Sequence, residues 1–181
     1  MKKQLISLLV LTLVALPGLA AQPAVADDSK TITFTVDVAE DGNQFVFNPV
    51  HDTDSMPLRG ATFVTLGHLF PKGTIQGDGS DFDPNSSGSV GNWTCTGSYL
   101  VNGDQIPAAA IWVETTQIYD LLNKKASLAT LGFEGGDPTW RVVSGGTGTL
   151  AGWIGTQKQV FLGFNKSMGV NLRVTFILTK K

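Results

Sequence analysis

The stretch RVVSGGTGTLAGWIG, residues 141–155, decides how this chain is read. A short apolar run, Val142 and Val143, breaks at Gly145-Gly146. The chain turns through Thr147-Gly148 and resumes as strand after Gly152. Glycines in such a setting supply positive φ and close backbone approach at a turn or bulge. A phosphate cradle is the competing reading. It requires a Lys that reaches the phosphates and a loop that opens a helix. This stretch has no Lys and leads into a strand, so it reads as the joint between two strands.

The flanking sequence agrees. Residues 153–164 run extended, with Gln157 and Gln159 on one face and Lys158 on the other. After a turn at 165–169, Val170, Leu172, Val174, Phe176 and Leu178 alternate with Asn171, Arg173, Thr175, Ile177 and Thr179. Upstream, residues 31–38 alternate strictly, with Ile32, Phe34, Val36 and Val38 on one face. Period two with β-branched residues is a half-buried strand. Residues 92–101 repeat the pattern. Trp93, Cys95, Gly97, Tyr99 and Val101 form the face expected inside.

Less regular segments complete the count. Residues 40–43 read as a turn and 45–50 as a short strand. Residues 59–70 form a strand with two moderately apolar faces: Val64, Leu66, His68 and Phe70 on one, Phe63, Thr65 and Leu69 on the other. Residues 71–91, rich in Gly, Ser, Asp and Asn, form a long loop of the kind that is functional or mobile. Asn102-Gly103-Asp104 reads as a hairpin turn, with strands at 108–118 and 127–133 to follow. Residues 119–125 form one helical turn or a loop, and residues 134–138 a break. About eight strands with short turns and almost no helix predict an all-β antiparallel barrel or sandwich.

The N-terminus is read separately. Lys2-Lys3, an apolar run at 5–16 and the small residues Ala24 and Ala26 match a secretory signal peptide, residues 1–26, cleaved after Ala26. Its apolar core is shorter than the ~20 residues that span a bilayer. Residues 27–181 then form one domain, exported to the periplasm or outside. Without Lys2 and Lys3, 11 basic face 15 acidic side chains, a net charge of −4. No basic block exists, so nucleic acid and anionic membrane are not expected partners. Cys95 is the only cysteine and excludes an intrachain disulfide.

The stretch 143–148 with Ala151-Gly152 and Gly155, the segment GNWTCTG at 91–97 and LGFN at 162–165 together resemble the bacterial branch of the allene oxide cyclase-like and dirigent-like barrels. Leu150 departs from the pattern where an aromatic is common, as does Trp153-Ile154. The resemblance implies an eight-stranded antiparallel β-barrel whose lumen accepts an apolar small molecule and guides its cyclisation or isomerisation. It also implies a homo-oligomer, with a trimer frequent among such barrels. A non-catalytic lipocalin-like carrier or structural barrel is the alternative.

Sequence motifs for a hydrolase elbow or a zinc helix are absent, and two histidines cannot build a His-rich metal site. No metal or cofactor is expected. Glu114 lies mid-strand beside Trp112. Facing the lumen, its raised pKa would make it a general acid or base; facing solvent, it is an ordinary surface charge. His68, within a strand, is the second catalytic candidate, with a structural role as the competing reading. Trp93, Tyr99, Trp112, Gln157 and Gln159 are the candidate ligand-binding residues, a few polar groups on an apolar wall.

Overall fold

The computed structural model describes residues 30–48 and 57–180. The signal peptide, its cleavage after Ala26 and the loop holding His51 lie outside these residues. Nine strands are present: β1 Lys30–Glu40, β2 Val46–Asn48, β3 Thr62–Pro71, β4 Gly91–Tyr99, β5 Val113–Leu121, β6 Ala126–Glu134, β7 Thr139–Gly146, β8 Ile154–Phe164 and β9 Val170–Lys180. Each of β3 to β8 pairs antiparallel with the next. β1 closes the ring by pairing with β9 along its length and with β3 through residues 36–40. Eight strands thus make a closed antiparallel barrel with no long free edge. The ninth, β2, continues the β1 edge along β3 after the chain breaks step at Gly42–Gln44.

Alternation places the core. Val36 and Val38 of β1, Trp93 and Cys95 of β4, and Leu172, Val174, Phe176 and Leu178 of β9 are all buried inside. In β4 this is the face expected inside from the sequence; in β1 and β9 the structure selects the apolar series of the alternation. β3 is decided by the barrel: Phe63, Thr65 and Leu69 point in, while Val64 and Leu66 are exposed outside. One half of the barrel is filled. There Tyr119 meets the Phe176 ring edge-on at 4.9 Å, packed among Leu128, Val143, Leu150, Trp153 and Leu178. Burying each large apolar side chain contributes roughly 1.5–3 kcal/mol.

The glycine-rich joint connects β7 to β8 as read. It contains a short 3-10 turn, Gly148–Leu150. Gly148 has φ +56°, and a Cβ there would run into the Lys125 carbonyl, so this position requires glycine.

Two expectations are corrected. The segment after β4 is not a tight hairpin: residues 103–108 form a 3-10 turn and β5 begins only at Val113. Pro107 lacks the N–H that a strand ladder needs, and Asn102 commits its side chain to the Arg59 N–H at 3.0 Å. The long loop at 72–90 is pinned to the outside of β1 and β9. Ile75 is buried against Phe70 and Ala39, the Phe70 and Phe82 rings meet edge-on, and the Asn171 amide donates to the Gly79 carbonyl. Asp37, on the polar face of β1, is therefore fully buried. It accepts from the Gly73 and Ile75 N–H groups and pairs with Arg173 at 2.8 Å.

Candidate functional site

The second half of the barrel is open. A cavity of about 450 Å3 occupies it, walled by the C-terminal end of β1, the inward faces of β3 and β4, and the ends of β6, β8 and β9. Its lining is mainly aromatic: Phe45, Phe63, Trp93, Tyr99, Trp112, Phe161 and Phe164. Phe63 and Tyr99 stand 5.8 Å apart, and Tyr99 and Trp112 stand 6.3 Å apart. A concave, mostly apolar space with few polar groups is the usual form of a small-molecule site.

Four of the residues singled out from sequence line this space: Trp93, Tyr99, Trp112 and Gln159. Trp112 does so from just before β5, where strand parity does not apply. Gln157 is fully buried and belongs to the layer beneath. The two catalytic candidates are elsewhere. In β5, Val113, Thr115, Gln117 and Tyr119 point inward, which turns Glu114 to the outer surface. Glu114 borders an external groove with Val64, Thr96 and Thr116. His68 is half-buried on the outer face of β3 because Leu69 and Gly67 take the inner one. Neither side chain reaches the lumen.

The acids that line the lumen are Glu40 and Glu134, with Asp137 at its rim. Glu40 is only 7% exposed. Its Oε1 accepts from the Thr65 hydroxyl at 2.6 Å and its Oε2 from the Val170 N–H at 2.8 Å. Burial nevertheless raises its pKa above the ordinary 4.5, with a further push from the charges of Glu134 and Asp41. Glu134 is held by partners: the Thr115 hydroxyl at 2.9 Å, the Gln117 amide at 3.0 Å and Arg141 at 3.2 Å. The Arg141 guanidinium also donates to Thr130 and to the Thr115 carbonyl. The two carboxyls thus sit in unlike environments, one against apolar wall and one against a guanidinium.

A buried polar layer forms the floor. The Gln157 amide donates to the Tyr119 hydroxyl at 2.9 Å, and the Tyr119 hydroxyl in turn donates to Gln117. Gln159 Oε1 accepts from both Gln117 and Gln157. Burial raises the pKa of Tyr99, assisted by the charges of Glu40 and Glu134. It raises that of the Cys95 thiol as well.

Sequence reading missed Glu40, Glu134 and Arg141 as site residues. Glu40 and Glu134 sit next to turn-like residues and were assigned to a turn and a break. The usable signal was parity: Glu40 continues the Ile32–Val38 face of β1, and Glu134 shares the inward face of β6 with Leu128 and Thr130.

No protein-family model matches the sequence, and no curated protein matches it. Solved structures are similar. A pyocyanin demethylase superposes with a TM-score of 0.53 at 15% identity, covering 81% of this chain and 99% of that one. The pterocarpan synthase dirigent protein GePTS1 superposes with a TM-score of 0.57 at 11% identity, covering 84% and 90%. Its counterpart PsPTS1 gives 0.58 at 13%, covering 85% and 96%. At these identities the likeness is one of fold. Closed through β1 and half open to an aromatic lumen, the chain has the eight-stranded antiparallel barrel fold of the dirigent type.

Proposed function

We propose that the chain is an exported barrel that binds an apolar small molecule in its lumen and guides its cyclisation or isomerisation. The observation that carries this reading is Glu40 on the wall of an aromatic cavity of about 450 Å3. Burial favours the protonated form of its carboxyl, which suits it to give and retake a proton beside a bound ligand. Such a reaction draws on shape and a dry site, and needs no nucleophile.

A carrier is the second reading. One observation favours it: both Glu40 oxygens already accept hydrogen bonds from the protein, as a structural carboxyl would.

Native mass spectrometry of the protein purified from its source tests binding. A bound small molecule is expected; bare protein with nothing in the denatured extract counts against the reading. The recovered compound or its precursor is then incubated with wild type and with Glu40→Gln. Turnover lost in Glu40→Gln by about 100-fold or more identifies the acid–base group. Binding without turnover in either protein leaves the carrier. Glu114→Gln and His68→Ala are expected to leave binding and turnover unchanged, since both side chains lie outside the lumen.

We also place a homo-oligomer interface on the outer face. On the adjacent strands β5 to β8, Thr116, Leu131, Val142 and Thr156 lie in one cross-strand register, all exposed and none charged. A second copy can approach this row without like-charge repulsion, and covering it removes apolar surface from water. Light scattering is expected to give a multiple of the monomer mass, and Leu131→Glu with Val142→Glu to give a monomer. A monomeric wild type sinks the assignment.

A further inference from the structure

We infer that the lumen selects an aromatic cation carrying a hydrogen-bond acceptor and rejects anionic ligands. This rests on the reading of the lumen as a small-molecule site.

The charge inventory of the cavity is one-sided. Glu40, Glu134 and Asp137 line it, and among the described residues no Lys, Arg or His does. The one guanidinium nearby, Arg141, has no exposed side-chain surface. Its Nε, Nη1 and Nη2 are committed to Thr130, Glu134 and the Thr115 carbonyl. A carboxylate or phosphate entering the lumen would therefore leave water without meeting a free cation, and would face like charge. A fatty acid is excluded on that ground even though its chain suits an apolar wall.

The walls favour the opposite sign. Phe63, Tyr99 and Trp112 form a run of aromatic rings along the cavity, and π faces attract cations, more strongly where water is excluded. Glu134 adds a carboxylate beside them, and Asp137 sits at the rim. The acceptor requirement comes from Gln159. This residue is 6% exposed, and its Oε1 is taken by Gln117 and Gln157. Its Nε2 has no partner among the described residues and is left for the cavity it lines. A ligand oxygen or ring nitrogen satisfies it.

The experiment is calorimetric titration of the purified protein at pH 8 with three matched tricyclic probes. All three carry a methoxy group, so that each offers an acceptor oxygen: the N-methylacridinium, the neutral acridine and the acridine-9-carboxylate. The cation is expected to bind about tenfold more tightly than acridine. The carboxylate is expected to bind at least about a hundredfold more weakly than the cation. Trp112→Leu, with its fold checked by circular dichroism, is expected to weaken the cation about fivefold or more. A carboxylate that binds as well as acridine, a cation no tighter than acridine, or a Trp112→Leu variant of unchanged affinity overturns the inference while the small-molecule reading stands. If none of the three probes binds, the inference falls, and the small-molecule reading falls with it only if native mass spectrometry also finds bare protein.

Discussion

Arg141 holds Glu134 at the lumen wall: its Nη1 lies 3.2 Å from Glu134 Oε1, with the guanidinium fully buried and the carboxylate 19% exposed. The pair joins β6 to β7 across the short link at 135–138. It explains how a barrel tolerates an acid facing its interior. A buried charge is tolerable only when paired and hydrogen-bonded, and here three further groups, Thr115, Gln117 and Thr130, complete the set.

Removing one partner should therefore cost more than removing both. Arg141→Met leaves a partly buried carboxylate and the Thr115 carbonyl without their donor, at an expected cost of about 3–5 kcal/mol. Arg141→Met with Glu134→Gln should recover part of that loss. Urea denaturation of the three proteins checks it. A single variant within about 1 kcal/mol of wild type would show the pair to be dispensable.

Glu40 gives stability a pH dependence of known sign. Its pKa is raised in the folded protein, so the folded state holds this proton longer than the unfolded chain. Its contribution is fully present below the ordinary value of 4.5 and is lost as pH rises through the raised value. Wild type should lose stability relative to Glu40→Gln as pH climbs from about 4.5, with the gap flat once the folded carboxyl has ionised. Parallel pH profiles, or a wild type that gains with pH, would contradict the assignment.

Cys95 should be inert in the native protein. It is 3% exposed on the inward face of β4, and burial pushes its thiol well above the ordinary range. Since the thiolate is the reactive species, a disulfide reagent should leave the folded protein unmodified for hours and titrate one thiol in denaturant. Rapid native labelling would place the side chain elsewhere.

Asp37 should govern the loop at 72–90. Two loop N–H groups and Arg173 converge on its carboxylate. Asp37→Ala leaves those donors unsatisfied, at an expected cost of about 3 kcal/mol. Loop opening should then expose the bond after Lys72 to trypsin. Limited proteolysis with mass analysis of the fragments is the readout, and cleavage after Lys72 at the wild-type rate would show that other contacts suffice.

Much of the barrel was legible because alternation is local. A strand's side chains change face at every residue, so an aromatic or β-branched series such as Trp93, Cys95 and Tyr99 announces its inward side without knowledge of its neighbours. The same rule gave no answer for β3, where both faces are apolar. Turn-like neighbours hid it at strand ends, where Glu40 and Glu134 stand beside glycine-containing links yet still belong to the ladder. His68 and Glu114 drew attention because titratable groups within strands are uncommon, but rarity does not choose a face.

By itself, the sequence determined an all-β fold of about eight strands, the inward face of β4, and the role of residues 141–155 as the joint between β7 and β8. Those properties follow from the period of two and from backbone geometry at glycine. Only the tertiary structure decided that one half of the barrel is packed and the other open, and that Glu40 rather than Glu114 meets the lumen. It alone brought Arg141 to Glu134 and laid the loop over Asp37. Those outcomes depend on where ring closure through β1 sets each strand against the others, a long-range relation that local periodicity does not contain.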